Sequence, residues 1–150
     1  MSGPSAPATD AATGVYNLRK SVGSGDGTVV LQGSEVGYAF IEQALPLLEK
    51  EGLDVNVYYV ASAELFDMLP YEDRQRIYPE ELSKDAIGIT GFTLPTMYRW
   101  IRSERGMSMS LHPFQNGRFL GSGKADKVLE EAGLDGENQF KAIVRYVKER

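Results

Sequence analysis

Three short apolar runs, separated by segments with helical spacing, set the pattern of this chain. Residues 28–31, 55–60 and 86–90 are rich in apolar and β-branched side chains and lie next to turn-forming residues, which is typical of buried strands. Between and after these runs, apolar residues recur with the period of an α-helix. Alternating strands and helices predict an α/β sheet with helices on both faces.

The first long helix is predicted to begin at Ser34, acting as its N-cap, and to end at Gly52. Its apolar positions fall on one face and comprise Val36, Phe40, Ala44, Leu47 and Leu48. Pro46 conflicts with an unbroken helix, because proline removes one hydrogen bond and clashes with the carbonyl one turn earlier. We therefore expect a kink near Glu42, or two shorter helices.

The rest of the chain continues the alternation. Caps and stops predict further helices at 63–69, 71–77, 96–104 and 126–132, and a last helix that follows the cap Asp135. Two more strands are predicted at 16–19 and 107–111. The connection after 16–19 is rich in glycine and contains no helix, so this strand is predicted to run antiparallel to the others.

Length and composition indicate one globular domain. The chain has 150 residues, of which 42% are hydrophobic and 25% charged, as in ordinary globular proteins. Residues 1–13, MSGPSAPATDAAT, are small, polar and proline-bearing. They predict a disordered leader or linker, which leaves 14–150 as the domain.

Charge and residue usage exclude several classes of function. The formal net charge is −5 and the basic residues are scattered, so we expect no nucleic-acid partner. The apolar runs are too short to span a bilayer, and we expect no membrane partner. The chain has no cysteine, which excludes thiolate chemistry and suits a cytoplasmic location, and its one histidine excludes a multi-histidine metal centre.

Two motifs resemble parts of cofactor sites and one residue resembles a catalytic base, but each lacks essential partners. Residues 25–27 read Gly-Asp-Gly but precede a strand instead of following one, which favours a turn. Residues 121–124 read Gly-Ser-Gly-Lys, and Ala125 stands where a P-loop needs a hydroxyl. His112 could act as a general base, but no nucleophile is identifiable beside it, which favours a structural role.

Several motifs together resemble the C-terminal domain of transketolases. The matching residues are Gly33-Ser34-Glu35-Val36 between a strand and a helix, Leu65-Phe66, Tyr71 and Arg74 before Pro79, the entry strand at 14–19, and Tyr98-Arg99-Trp100. The resemblance covers about residues 14–148. Its most specific part is the Gly-Ser-Glu-Val joint combined with the Leu-Phe stretch.

This resemblance implies a three-layer α/β/α domain with a five-strand mixed sheet whose first strand is antiparallel. It implies a transferase of the pentose phosphate pathway that moves two-carbon ketol units between sugar phosphates. Thiamine diphosphate and a divalent metal would be held by other domains or by a partner subunit. No catalytic, cofactor-binding or metal-binding residue of the family maps onto this chain, so an assembly role without activity alone is expected.

One weak site is predicted from the chain itself. The strands that end at Leu31 and Thr90 are implied to be neighbours whose helices cover opposite faces, and ligands bind where loops diverge in this way. Gly33, Ser34, Gly91 and Thr93 would line this crevice. Glu35 disfavours a phosphate, so binding of a small anion is expected to be weak.

Two alternatives to the transketolase hypothesis stay open at this point. The chain could be an independent small-anion or nucleotide-binding α/β module that uses the same crevice, or the C-terminal domain of a related oxoacid dehydrogenase. A homo-oligomer is compatible with each of these hypotheses.

Overall fold

A mixed sheet of four strands organises the structure. The computed structural model describes residues 13–23, 25–113, 129–130 and 132–150. Within these residues the strands are β1 Val15–Arg19, β2 Thr28–Gln32, β3 Asn56–Val60 and β4 Ala86–Thr90. Their order is β1-β3-β2-β4, with β2 parallel to β3 and β4 and with β1 antiparallel to β3. The predicted α/β class and the antiparallel first strand are confirmed.

Helices connect and cover the strands. They are α1 Ser34–Ala39, a π-helix Phe40–Ala44, α2 Leu45–Lys50, α3 Ala63–Asp67, α4 Tyr71–Ile77, α5 Glu80–Ser83, a 3-10 helix Leu94–Met97, α6 Glu104–Met109 and α7 Gly136–Lys148. Residues 1–12 of the predicted leader, most of the predicted helix 126–132 and the Gly-Ser-Gly-Lys motif lie outside the described residues.

The π-helix resolves the conflict at Pro46. The Leu45 N–H donates to the Phe40 carbonyl, a bond that spans five residues instead of four. Proline cannot donate and its ring crowds the carbonyl of Glu42, so a wider turn immediately before Pro46 relieves both problems. The predicted interruption of the long helix near Glu42 is confirmed.

The predicted fifth strand is wrong. Residues 107–111 belong mainly to α6, which begins where the Ser103 hydroxyl accepts a hydrogen bond from the Gly106 N–H at 2.8 Å. Leu111 alone in this segment pairs with the sheet through its backbone, by bonds with Gly88 and Thr90 of β4. The alternation in Met-Ser-Met-Ser-Leu imitates a strand, but the segment has no β-branched residue and Ser103 caps a helix ahead of it.

The predicted helix 96–104 is also wrong. The 3-10 helix ends at Met97, and the chain continues in turns through Trp100. The Tyr78 hydroxyl donates to the Trp100 carbonyl at 2.6 Å, and the Arg102 N–H donates to the Ser83 carbonyl at 2.8 Å. These tertiary bonds take the place of helical ones.

The sheet separates two apolar cores. One core, beneath α1, α2 and α7, contains Val29, Leu31, Phe40, Leu48, Val57, Ile87, Ile89 and Ile143. The other, beneath α3, α4 and the 3-10 helix, contains Val30, Tyr58, Val60, Phe66, Tyr78, Met97, Trp100 and Ile101. Consecutive residues of β2 alternate between the two cores, as strand geometry requires. Helices therefore pack on both faces of the sheet.

Tyr146 fastens the last helix to the sheet. Its hydroxyl accepts a hydrogen bond from the Thr28 N–H at 3.0 Å and donates to the Asp85 carbonyl. Gly27 permits this approach, since a Cβ there would lie 2.3 Å from the hydroxyl, and its φ of 124° is one that residues with side chains rarely adopt. The Arg105 guanidinium lies 5.1 Å from the ring centroid and donates to the Tyr146 carbonyl at 2.6 Å. The starts of β2 and β4 are thus held by one side chain.

Replacing Tyr146 with phenylalanine should lower the free energy of unfolding by about 1–3 kcal/mol, because buried partners at Thr28 and Asp85 lose their hydrogen bonds. Urea denaturation measures the loss. Tyr98→Phe is the matched control, since Tyr98 is 49% exposed and its change should stay within about 0.5 kcal/mol. Equal effects of the two substitutions would contradict the role given to Tyr146.

Candidate functional site

Two neighbouring strands diverge at the carboxyl end of the sheet. β2 leads into α1, whose Val36 lies in one core, while β4 leads toward the 3-10 helix, whose Met97 lies in the other. β2 and β4 are paired in parallel from Thr28 opposite Ala86 to Gln32 opposite Thr90. The expected switch point of a doubly wound sheet is therefore present between these two strands.

A small crevice lies at this switch point. Its volume is about 190 Å³, and Gly33, Ser34 and Gly91 line it together with Glu35. Apolar residues complete the wall, namely Val36, Phe92, Pro113, Leu129, Ala132 and Leu134. Of the four residues predicted for the site, Thr93 is not among the described residues that line this switch-point crevice.

Gln32 closes the joint between the two strand ends. Its side-chain oxygen accepts hydrogen bonds from the hydroxyls of Thr90 at 2.6 Å and Thr96 at 2.9 Å. Its backbone carbonyl accepts from the Gly91 N–H at 3.0 Å, and the Phe92 N–H donates to the Thr90 hydroxyl at 2.9 Å. The backbone donors after β4 are thus satisfied within the protein, which leaves fewer of them for an anion.

Gly33, and not Ser34, occupies the N-cap of α1. Gly33 has φ 106° and ψ 130°, the helix begins at Ser34, and no side chain caps it. The Gly37 N–H donates to the Gly33 carbonyl at 2.9 Å. The predicted Ser34 cap is therefore wrong: a positive φ at glycine turns the chain into the helix, so Ser34 already has helical geometry and cannot act as the cap.

The surroundings of the crevice are acidic. A larger neighbouring cavity of about 570 Å³ shares Ser34 and Glu35 with it and is also lined by Tyr38, Glu42 and Asp135. A hydrogen bond to Glu42 and the negative charge of that residue raise the pKa of Tyr38. Carboxylates at Glu35, Glu42 and Asp135 repel a phosphate, which opposes the field of the helix N-terminus.

Other candidate chemistry is limited in the described part of the chain. Burial lowers the pKa of His112, which follows the bridge residue Leu111. Across residues 13–23, 25–113, 129–130 and 132–150, no cluster of three or more His, Asp or Glu side chains could hold a metal ion. In the same residues, no helix has the length and apolar character needed to cross a membrane.

Fold and crevice define a doubly wound α/β domain with an antiparallel edge strand, and comparisons place this domain beside one enzyme family. No protein-family model matches the chain. In sequence, it is 29% identical over 131 residues to the transketolase of Aquifex aeolicus, covering 87% of this chain and 18% of that protein.

Solved structures give the same relationship. The match to transketolase from Leishmania mexicana covers 98% of this chain and 20% of that protein, with a TM-score of 0.70 and 21% identity. The match to Pichia stipitis transketolase, solved in complex with sedoheptulose 7-phosphate, covers 94% of this chain and 19% of that protein. Its TM-score is 0.65 and the identity is 23%. The resemblance to transketolases is confirmed, and the chain spans about a fifth of the length of these relatives.

Substitutions at the α1 joint should separate the roles of Gly33 and Ser34. Gly33→Ala should cost about 1–3 kcal/mol of unfolding free energy, because a side chain rarely adopts its φ. Ser34→Ala should cost less than about 0.5 kcal/mol. Ser62→Ala is the matched control, since the Ser62 hydroxyl does accept a hydrogen bond from the Leu65 N–H of α3 and its loss should cost about 1 kcal/mol.

Denaturant unfolding of the three variants gives these values. A cost for Ser34→Ala as large as that for Ser62→Ala would show that Ser34 caps α1 after all.

Proposed function

We propose that this chain is the C-terminal domain, or a separate subunit, of a transketolase-like enzyme that moves two-carbon ketol units between sugar phosphates. The observation that carries the proposal is the extent of the match: 87% of the chain in sequence and 98% in fold correspond to about a fifth of a transketolase. A sugar phosphate is present in the complex of the Pichia stipitis relative, which supports this class of substrate.

In this proposal, thiamine diphosphate and a divalent metal are held by the remaining domains or by a partner subunit. The Gly-Asp-Gly stretch at 25–27 forms hydrogen bonds within the domain. The Asp54 N–H donates to the Asp26 carboxylate at 2.7 Å, and the Asp26 N–H donates to the Asp54 carbonyl at 2.9 Å. Both bonds tie the turn before β2 to the residues before β3, which supports a structural role for Asp26.

The function we assign to this chain is assembly. Large apolar side chains are exposed on its surface, namely Val22, Tyr38, Ile41, Leu47, Leu65, Met68, Tyr71, Phe92 and Tyr98. Aromatic residues and methionine are enriched in the buried centres of interfaces. An exposed set rich in tyrosine, with Met68 at 80% exposure, supports packing against the other domains of the same enzyme.

The alternative of an independent anion- or nucleotide-binding module has weaker support. The switch-point crevice measures about 190 Å³, below the roughly 300–1,000 Å³ of typical ligand pockets. Glu35 lines it, and the Gly91 N–H is bonded to Gln32. The alternative of an oxoacid dehydrogenase domain is not favoured by any relative named above.

Calorimetric titration of the purified chain distinguishes these proposals. We expect no binding of thiamine diphosphate with Mg²⁺, and no ketol transfer from sedoheptulose 7-phosphate, because the proposal assigns both to other domains. We also expect sulfate and sedoheptulose 7-phosphate to bind no tighter than about 1 mM, or about 4 kcal/mol. Micromolar binding of thiamine diphosphate would contradict the proposed division of labour, whereas micromolar binding of sulfate would favour the independent module.

A further inference from the structure

A second small cavity lies on the opposite face of the sheet from α1. It has a volume of about 60 Å³ and lies between α3, α4, α5 and the segment 99–102. Polar and charged side chains dominate its wall around Trp100, namely Gln75, Glu80, Ser83, Arg99 and Arg102. We call it the Trp100 cavity.

Trp100 lines this cavity and carries an unsatisfied donor. Its side chain is 1% exposed, and its indole Nε1 is buried without a hydrogen-bond partner among the described residues. The ring packs against Phe66 and Tyr78, with centroids 5.2 and 5.6 Å away. A buried donor without a partner costs free energy, so an acceptor beside Trp100 is favoured.

The charges at the cavity favour an anionic acceptor. Two guanidinium groups and one carboxylate, that of Glu80, line it. The Arg102 Nη1 lies 3.5 Å from the Glu80 Oε2, a long contact between half-exposed groups, and the Arg102 Nε–H donates to the Arg99 carbonyl at 3.4 Å. The other Nη donors of Arg102 stay available. Arg99 is held over the Trp100 ring at 4.7 Å and paired with Asp67 at 2.5 Å, which fixes its position at the cavity.

We propose that the Trp100 cavity binds the carboxylate group of a small organic acid. A volume of about 60 Å³ equals about two water molecules, which suits two carboxylate oxygens and excludes a sugar phosphate. Guanidinium groups bind carboxylates through two parallel hydrogen bonds, and the indole N–H is a donor only. Arg102 and Trp100 supply these donors. This site is independent of the proposed transketolase role.

Intrinsic fluorescence provides a direct test, because Trp100 is the only tryptophan in the chain. The full chain is titrated with sodium formate at constant ionic strength, with sodium chloride as the balancing salt. We expect a saturable change in emission with a midpoint in the millimolar range. Arg102→Gln should raise this midpoint at least tenfold, and Arg102→Lys should raise it by less, because lysine keeps the charge but loses the planar fork.

The matched control is Arg76→Gln. Arg76 is an exposed arginine of α4 that pairs with Asp73 and does not line the cavity, so its midpoint should equal that of the unaltered chain. Circular dichroism verifies that each variant is folded. A strictly linear quenching by formate, or the same midpoint in Arg102→Gln and Arg76→Gln, would overturn the proposal.

Discussion

The hydroxyl of Tyr146 is the contact on which the geometry of the sheet depends. It joins the Thr28 N–H and the Asp85 carbonyl, so the last helix holds the starts of β2 and β4 side by side. Gln32 connects the same two strands at their other end, where its side-chain oxygen accepts from the Thr90 hydroxyl and its backbone carbonyl accepts from the Gly91 N–H. Because these two strands are clamped at both ends, the loops beyond them leave the sheet at fixed positions.

The same clamp explains why the switch point resembles a ligand site yet is poorly suited to phosphate. In an open joint, backbone N–H groups and a helix N-terminus would face a ligand. Here Gly91 donates to Gln32, Phe92 donates to Thr90, and the Glu35 carboxylate lies at the start of α1. The bonds that stabilise the joint use the donors that would have bound the anion. This arrangement supports the structural role that we propose more than a binding role.

Local signals in the sequence are sufficient for most of the elements. At Gly52, for example, φ is 74° and the Leu53 N–H returns to the Leu48 carbonyl, as the Gly-Leu pair predicts for a helix end. The predictions of secondary structure are wrong where hydrogen bonds to residues far away in the sequence determine the conformation. Met-Ser-Met-Ser-Leu alternates like a strand, but the Ser110 hydroxyl bonds both Gly88 and Gly106 and holds the segment as a helix beside β4.

The position of the switch-point crevice was predictable from the sequence, but the hydrogen bonds that occupy its donors were not. Parallel strands followed by helices on opposite faces locate the crevice, and Gly33 and Gly91 do line it. The hydrogen bonds of Gln32 to Thr90 and Thr96 join residues that are 58 and 64 positions apart in the sequence, and no local sequence pattern predicts them. The positive φ of Gly33 was likewise not predicted, because the serine that follows it is itself a typical N-cap residue.

The most direct test of the central claim is purification of the tagged chain from its own organism, followed by assay of the eluate. If the chain is part of a transketolase-like enzyme, the eluate should contain bound thiamine diphosphate and transfer ketol units between sugar phosphates. A Gly27→Val chain is the control, since its Cβ would clash with Tyr146 and release the last helix. Elution of the folded chain without thiamine diphosphate and without ketol transfer would contradict the account.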